Sequence, residues 1–98
     1  MFQNARYVTC GVNADIPSEV QAILWAMLED LTHKGVKVDY LQVFRLSEQA
    51  GRQKIVHTQE QPDYKDEILV PIYGHLVETK IFIVDDGDHS TMMLAEEY

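Results

Sequence analysis

The chain of 98 residues predicts one α+β domain, a mainly antiparallel sheet packed against a single amphipathic helix. Three observations carry that expectation: a helix-period stretch at about residues 17–33, and two strand pairs around turn signals, at about 38–60 and about 79–96.

Arg6 to Cys10 is the first run of strand-forming residues. The helix follows. Pro17 suits a first helical turn, Asp15 and Ser18 are nearby cap candidates, and Ser18 with Gln21 has capping-box spacing. Val20, Ile23, Leu24, Met27, Leu28 and Leu31 then recur on one face at a period of 3.6, and His33, Lys34 and Gly35 supply stop signals. Val38 to Leu46 and Gln53 to Glu60 flank a connection over Ser47 to Gly51 and predict a hairpin. Thr79 to Val84 and Thr91 to Ala95 flank Asp86, Gly87 and Asp88, where Asp-Gly supplies the positive φ of a tight turn and predicts a second. Between the pairs, Tyr64 to Val77 has two readings. Ile68 to Tyr73 has strand composition interrupted by Pro71, whereas Lys65 to Leu69 could form a helical turn.

Ile81 to Val84 are apolar on both faces, as are Tyr40, Leu41, Val43 and Phe44, and such runs imply strands covered on both sides. One helix covers only one. The second face then needs the 64–77 segment, curling of the sheet or a partner subunit. Trp25 lies roughly 130° from the centre of the apolar stripe, beside Gln21 and Thr32. These features predict a homodimer, with Trp25, Gln21, Tyr40, Phe44 and Tyr98 as interface candidates.

Sixteen acids against eight bases give a formal net charge of −8, the wrong sign for direct nucleic-acid binding. Residues 61–98 hold nine of the acids and two of the bases, so a partner is expected to present a basic protein surface. The longest apolar run, Ala22 to Leu28, is too short for a membrane, and no signal peptide is visible. Cys10 is the single cysteine. A cytoplasmic protein is expected.

Asp85, Asp86, Asp88 and His89 bring four possible hard-metal or acid/base groups within five residues. Read as a calcium loop from Asp86, the segment places Thr91 where the sixth position needs glycine. Turn formation is the favoured reading of the cluster. His57 and Glu60 could meet His89 and Asp85 across a sheet to make an imidazole–carboxylate site, although solvated strand positions are the favoured reading. His33 and His75 complete no zinc spacing, Cys10 reads as a small buried strand residue, and no glycine-rich phosphate loop occurs. No cofactor is expected.

Arg6 to Thr9, then Pro17, Leu24 and Trp25, then Asp39 to Phe44 (DYLQVF), and His89 to Tyr98 (HSTMMLAEEY) together give a further indication. Across essentially its whole length the chain resembles a family of short bacterial proteins catalogued as domain of unknown function 960. The resemblance implies a bacterial cytoplasmic protein and carries no chemistry onto these residues. The leading expectation is a non-enzymatic interaction or regulatory protein acting through self-association and an acidic C-terminal surface. The alternatives are a metal-assisted hydrolase using Asp85, Asp86, Asp88 and His89, and an acidic mimic of nucleic acid.

Overall fold

Period-two alternation sorts the strands of the computed structural model, which describes residues 1–72 and 74–98, into one sheet with a covered and an open face. The strands are β1 (Ala5–Val8), β2 (Leu41–Gln49), β3 (Arg52–Gln59), β4 (Tyr64–Val70), β5 (Thr79–Asp85) and β6 (His89–Leu94), in the order β1-β6-β5-β2-β3-β4. Helices α1 (Cys10–Asp15) and α2 (Ser18–Thr32) precede β2, and a 3-10 turn, Ala95–Glu97, follows β6.

The α+β class is as expected, but the sheet is mixed rather than antiparallel throughout: β1 pairs parallel with β6, Ala5 opposite His89 and Val8 opposite Met92. Both predicted hairpins lie inside the larger sheet, linked by the β2–β5 pairing. Their ends differ. The first connection is two residues rather than five, because Ala50 and Gly51 both take positive φ, 54° and 75°, the geometry of a primed turn that lets the strands run to its edge. The ambiguous segment yields β4, paired with β3 from Gln53–Val70 to Gln59–Tyr64, and Pro71 lies just beyond it. Tyr73, at the end of the expected strand, lies outside the described residues. Since β4 extends the sheet edge, it does not close the second face.

The core forms where α2 lies on the covered face. Val20, Leu24, Met27 and Leu28 of α2, with Val12 of α1, pack against Phe44, Leu46, Ile55, Ile81, Ile83, Met92 and Leu94. Neither expected Ser18 cap nor capping box forms. Pro17 is the N-cap without a side-chain bond, and Gln21 instead donates to the Ile16 carbonyl at 2.8 Å, fixing the α1–α2 corner. Cys10 is also corrected: the strand stops at Val8, Thr9 caps α1 by accepting from the Val12 amide, and Cys10 opens the helix as an exposed residue. Trp25 is half-buried against the core, and its offset is accounted for by β1, whose Arg6 lies 4.9 Å above the indole while bonding Glu29 at 2.8 Å. Buried Gln53 acts as a substitute peptide unit for the β4–β5 connection, donating to the Val77 carbonyl and accepting from the Val77 amide, each at 2.9 Å.

Candidate functional site

The feature with room for a partner is the open face of the sheet. Its residues follow from registry: Tyr7, Thr91, Val84 and Leu41 form one row across β1, β6, β5 and β2. Met93, Phe82, Val43, Thr58 and Lys65 form the next, and Lys80, Arg45, Val56 and Glu67 a third. Leu41, Val43, Phe82, Val84 and Met93 are only half-buried, because no helix lies over them. Sheet interiors facing another layer would be closed.

This face divides in two. Toward β1 and β6 it is apolar and aromatic. Tyr98 stands edge-on to Phe82 with ring centroids 5.3 Å apart, and Tyr7 stands edge-on to His89 at 5.2 Å. The Tyr98 hydroxyl beside Tyr40 holds the Tyr40 phenol above its ordinary range, with Asp39 and Glu60 adding to the effect. Toward β3 and β4, and from the Lys80–Arg45 pair onward along β5 and β2, it is cationic. Arg45, Arg52, Lys54, Lys65 and Lys80, five of the eight basic residues, project here with Glu67 as the one acid on this face of the strands.

Of the interface candidates, Tyr40 and Tyr98 are exposed beside this face at 50% and 63%. Phe44 is corrected: registry turns it to the covered side, where it is fully buried and stacked on His57 at 4.3 Å, so it cannot touch a partner. Trp25 and Gln21 belong to α2, on the opposite side of the sheet from the open face.

The acidic cluster does not point one way. Asp85 accepts from the Phe2 amide at 2.7 Å, from Asn4 Nδ2 at 3.1 Å and from the Gly87 amide at 2.8 Å. These donors hold its carboxyl below the ordinary range against the opposing effect of partial burial. Asp86 accepts from the amides of Asp88 and His89 and lies 3.0 Å from the His89 imidazole, so its carboxyl is also held low. Asp88 is exposed. Among the described residues no group of three or more His, Cys, Asp and Glu side chains is disposed to hold a metal ion. The acids after residue 60 are also split, since β4 and β6 stand near opposite edges of the sheet.

His57 and His89 do not converge. Three strand spacings, about 14 Å, separate β3 from β6, and the two side chains leave opposite faces. His57 is instead fully buried, in a polar row that the expectation of a solvated strand missed. The signal was present: on β3 the charged residues, Arg52 and Lys54, share one parity, whereas Gln53, His57 and Gln59 share the other with Ile55. Burial pushes the His57 imidazole down to about 4, and the positive charge of Lys34 adds to this against Asp66 and Asp30.

A cavity of about 440 Å³ beside the end of α1 is lined by Asp15, His75, Glu78 and Glu96 with apolar Ile16, Val77 and Leu94. No helix is long and apolar enough to cross a membrane.

The family model described as "Staphylococcal protein of unknown function (DUF960)" matches residues 5–97. The chain belongs to that family. It is also similar to a solved structure described as a protein of unknown function from Enterococcus faecalis, with a TM-score of 0.84 and 29% identity over 97% of this chain and 91% of that one. Among curated proteins there is no match. Neither description names an activity for the DUF960 fold.

Proposed function

We propose that this DUF960 protein is a non-catalytic interaction protein that associates with a second copy of itself through the apolar half of the open sheet face. The observation that carries the reading is the uncovered pair of rows containing Leu41, Val43, Phe82, Val84 and Met93. Half-exposed aliphatic and aromatic side chains in adjoining rows gain by leaving water, at roughly 25 cal/mol per Å² of apolar area. The occupant follows from symmetry and charge. These rows contain no charged residue from Tyr7 to Leu41 or from Met93 to Val43. A two-fold axis near Phe82 would set apolar rows on apolar rows, at the ~10 Å spacing of packed sheets, with the Lys80 ammonium, 5.5 Å from the Phe82 ring centroid, at their border. It would also carry the two cationic halves to opposite ends.

The apolar area is small for a permanent interface, and the expected dimer is reversible, with a Kd of order 10 micromolar. Sedimentation equilibrium and light scattering over a range of concentrations test it. Wild type should shift from monomer to dimer, whereas Val43→Gln with Phe82→Gln should remain monomeric with little change in melting temperature. A wild-type protein monomeric at its highest attainable concentration would overturn the reading.

A further inference from the structure

The cationic half of the open face is built against its own electrostatics. Arg45 and Lys80 are directly opposed cross-strand partners, a pairing of like charges that destabilises a sheet. The chain has twice as many acids as bases, yet Arg45, Arg52, Lys65 and Lys80 make no ion pair among the described residues. On the other side of the sheet, Arg6 and Lys34 are both paired, with Glu29 and Asp30. Lys54 reaches Glu67 only at 3.7 Å.

Registry arranges four of these cations in a line. Lys80 on β5 neighbours Arg45 on β2, Lys54 lies diagonally across on β3, and Arg52 follows two residues along. Strand spacing and rise make the band roughly 16 Å long, about five residues of extended peptide. Beside its members lie uncharged Ser47 on β2, Val56 on β3 and Leu69 on β4, small or apolar footholds, with Glu67 as the neighbouring acid.

We infer that this band is a docking site for a short acidic polypeptide segment in extended form, with Asp or Glu at alternate positions and apolar side chains between them. The inference rests on the open face being a docking surface, and it does not require the dimer. Carboxylates two residues apart repeat at about 6.7 Å, close to the spacing of the cations, and the Arg45 and Arg52 guanidiniums offer forked donors that match a carboxylate. A phosphate polymer fits less well. Beyond the cationic half of the face it would meet a surface carrying fifteen of the sixteen acids and three of the eight bases. Of the rings that could stack on bases, Tyr7, Tyr40 and Tyr98 lie beside the apolar rows, while Phe82 is already covered by Tyr98 on its edge and by the Lys80 ammonium 5.5 Å from its centroid.

Fluorescence anisotropy on the full chain at low salt provides the test, using a labelled octapeptide of alternating Glu and Val, its Gln–Val counterpart and an eight-nucleotide oligothymidylate. The Glu–Val peptide should bind at least about tenfold more tightly than the Gln–Val peptide and weaken as salt rises. Arg45→Gln with Lys80→Gln should lower its affinity at least about tenfold while the melting temperature stays level or rises, since the substitution removes the cross-strand repulsion. Tighter binding of the oligonucleotide would overturn the assignment in favour of nucleic acid. Equal binding of the two peptides, or full affinity in the Arg45/Lys80 variant, would overturn it outright. Loss of self-association in that variant without loss of peptide affinity would make a second copy the occupant. Peptide binding by the Val43→Gln/Phe82→Gln variant separates this site from the dimer, because it should persist whether or not the wild type dimerises.

Discussion

Gln42 Oε1 lies 2.7 Å from His57 Nε2, and the surrounding hydrogen bonds leave that pair only one arrangement of protons. The carbonyls of Lys37 and Pro62 can only accept, so Gln59 must turn its NH₂ to them, at 2.9 Å each. Gln59 Oε1 then accepts from the Asp39 amide at 3.0 Å and from Gln42 Nε2 at 2.7 Å. Gln42 is left presenting its oxygen, and His57 must donate from Nε2. Its buried Nδ1 holds a lone pair that meets no donor among the described residues.

A neutral, Nε2-protonated His57 makes folding sensitive to mild acid. Its folded-state value of about 4 lies below the ordinary 6.5, so between those values the unfolded chain binds a proton that the folded chain refuses. Stability is therefore level above about pH 6.5 and falls toward pH 4, by at most about 3 kcal/mol. Urea denaturation at pH 7.5 and at pH 5 should resolve the loss, and His57→Gln, which keeps a donor for Gln42, should flatten it. Asp85, Asp86 and Glu97 contribute in a lower window: their depressed values add stability that is present above the ordinary carboxylate range and lost beneath it. An unchanged slope in the variant between pH 7.5 and 5 would contradict the role of His57.

Ala50 sits at φ 54° in the β2–β3 turn, where an L-residue with a β-carbon is strained by about 1 kcal/mol. Ala50→Asn would create the Asn-Gly pair that primed turns favour, and it should raise stability by about 1 kcal/mol in thermal or urea unfolding. No change, or a loss, would show that the turn is not of this type.

Asp85 holds the segment before β1 in place, and Phe2, whose amide it accepts, is only 2% exposed. Asp85→Ala should therefore cost about 2 kcal/mol, whereas Asp88→Ala should stay within about 0.5 kcal/mol. Calcium, magnesium, zinc or a chelator should leave the melting temperature of the wild type unchanged. A clear thermal shift with any of these ions would restore a metal role for the Asp85–His89 turn.

Glu97 folds back over Gly11. Its carboxylate accepts from the Thr9 hydroxyl at 2.7 Å and the Leu94 amide at 2.8 Å, and a β-carbon on residue 11 would fall 2.7 Å from Oε2. Because the obstructing atoms end a flexible side chain, Gly11→Ala should displace Glu97 rather than break α1. The alanine also favours the helix. The expected outcome is little change in stability but faster amide exchange at residues 95–98. The Tyr40 phenol should return toward its ordinary range in an ultraviolet titration, as Tyr98 leaves it. Unaltered exchange at Tyr98 would show that another contact holds this segment.

Local patterns made much of this fold legible. The stripe from Val20 to Leu31 specified α2 and its buried face, and Asp86-Gly87-Asp88 located the β5–β6 turn. The surplus of apolar strand surface at Phe82 and Val84 was also readable, and it is the open face. What escaped depends on contacts distant in sequence. The β1–β6 pairing joins residues more than eighty positions apart, so no local period could signal that β1 lies parallel beside β6. The cationic band was hidden similarly: Arg45, Lys54 and Lys80 are scattered along an acidic chain and meet only when β2 places β5 and β3 on either side of itself. Net charge gave the expectation of a basic partner, whereas the docking site proposed above takes an acidic one. His57 was misplaced because a histidine on a strand that also carries Gln53 and Gln59 resembles a wet strand until the hydrogen-bonding partners of those glutamines are known.

The parallel pairing of β1 with β6 also orders events during synthesis. Strands β2, β3 and β4 can zip together as soon as they emerge, since each pairs with its neighbour in sequence. Residues 5–8 must instead wait until residues 89–92 have been made, several seconds later at 5–20 residues per second. Throughout that interval the nascent chain carries an unpaired N-terminal strand, and β2 presents an edge still empty of β5. A growing chain in this state is open to pairing with its neighbours on the same message, so the vulnerable form of this protein is the one in which β6 has yet to be made.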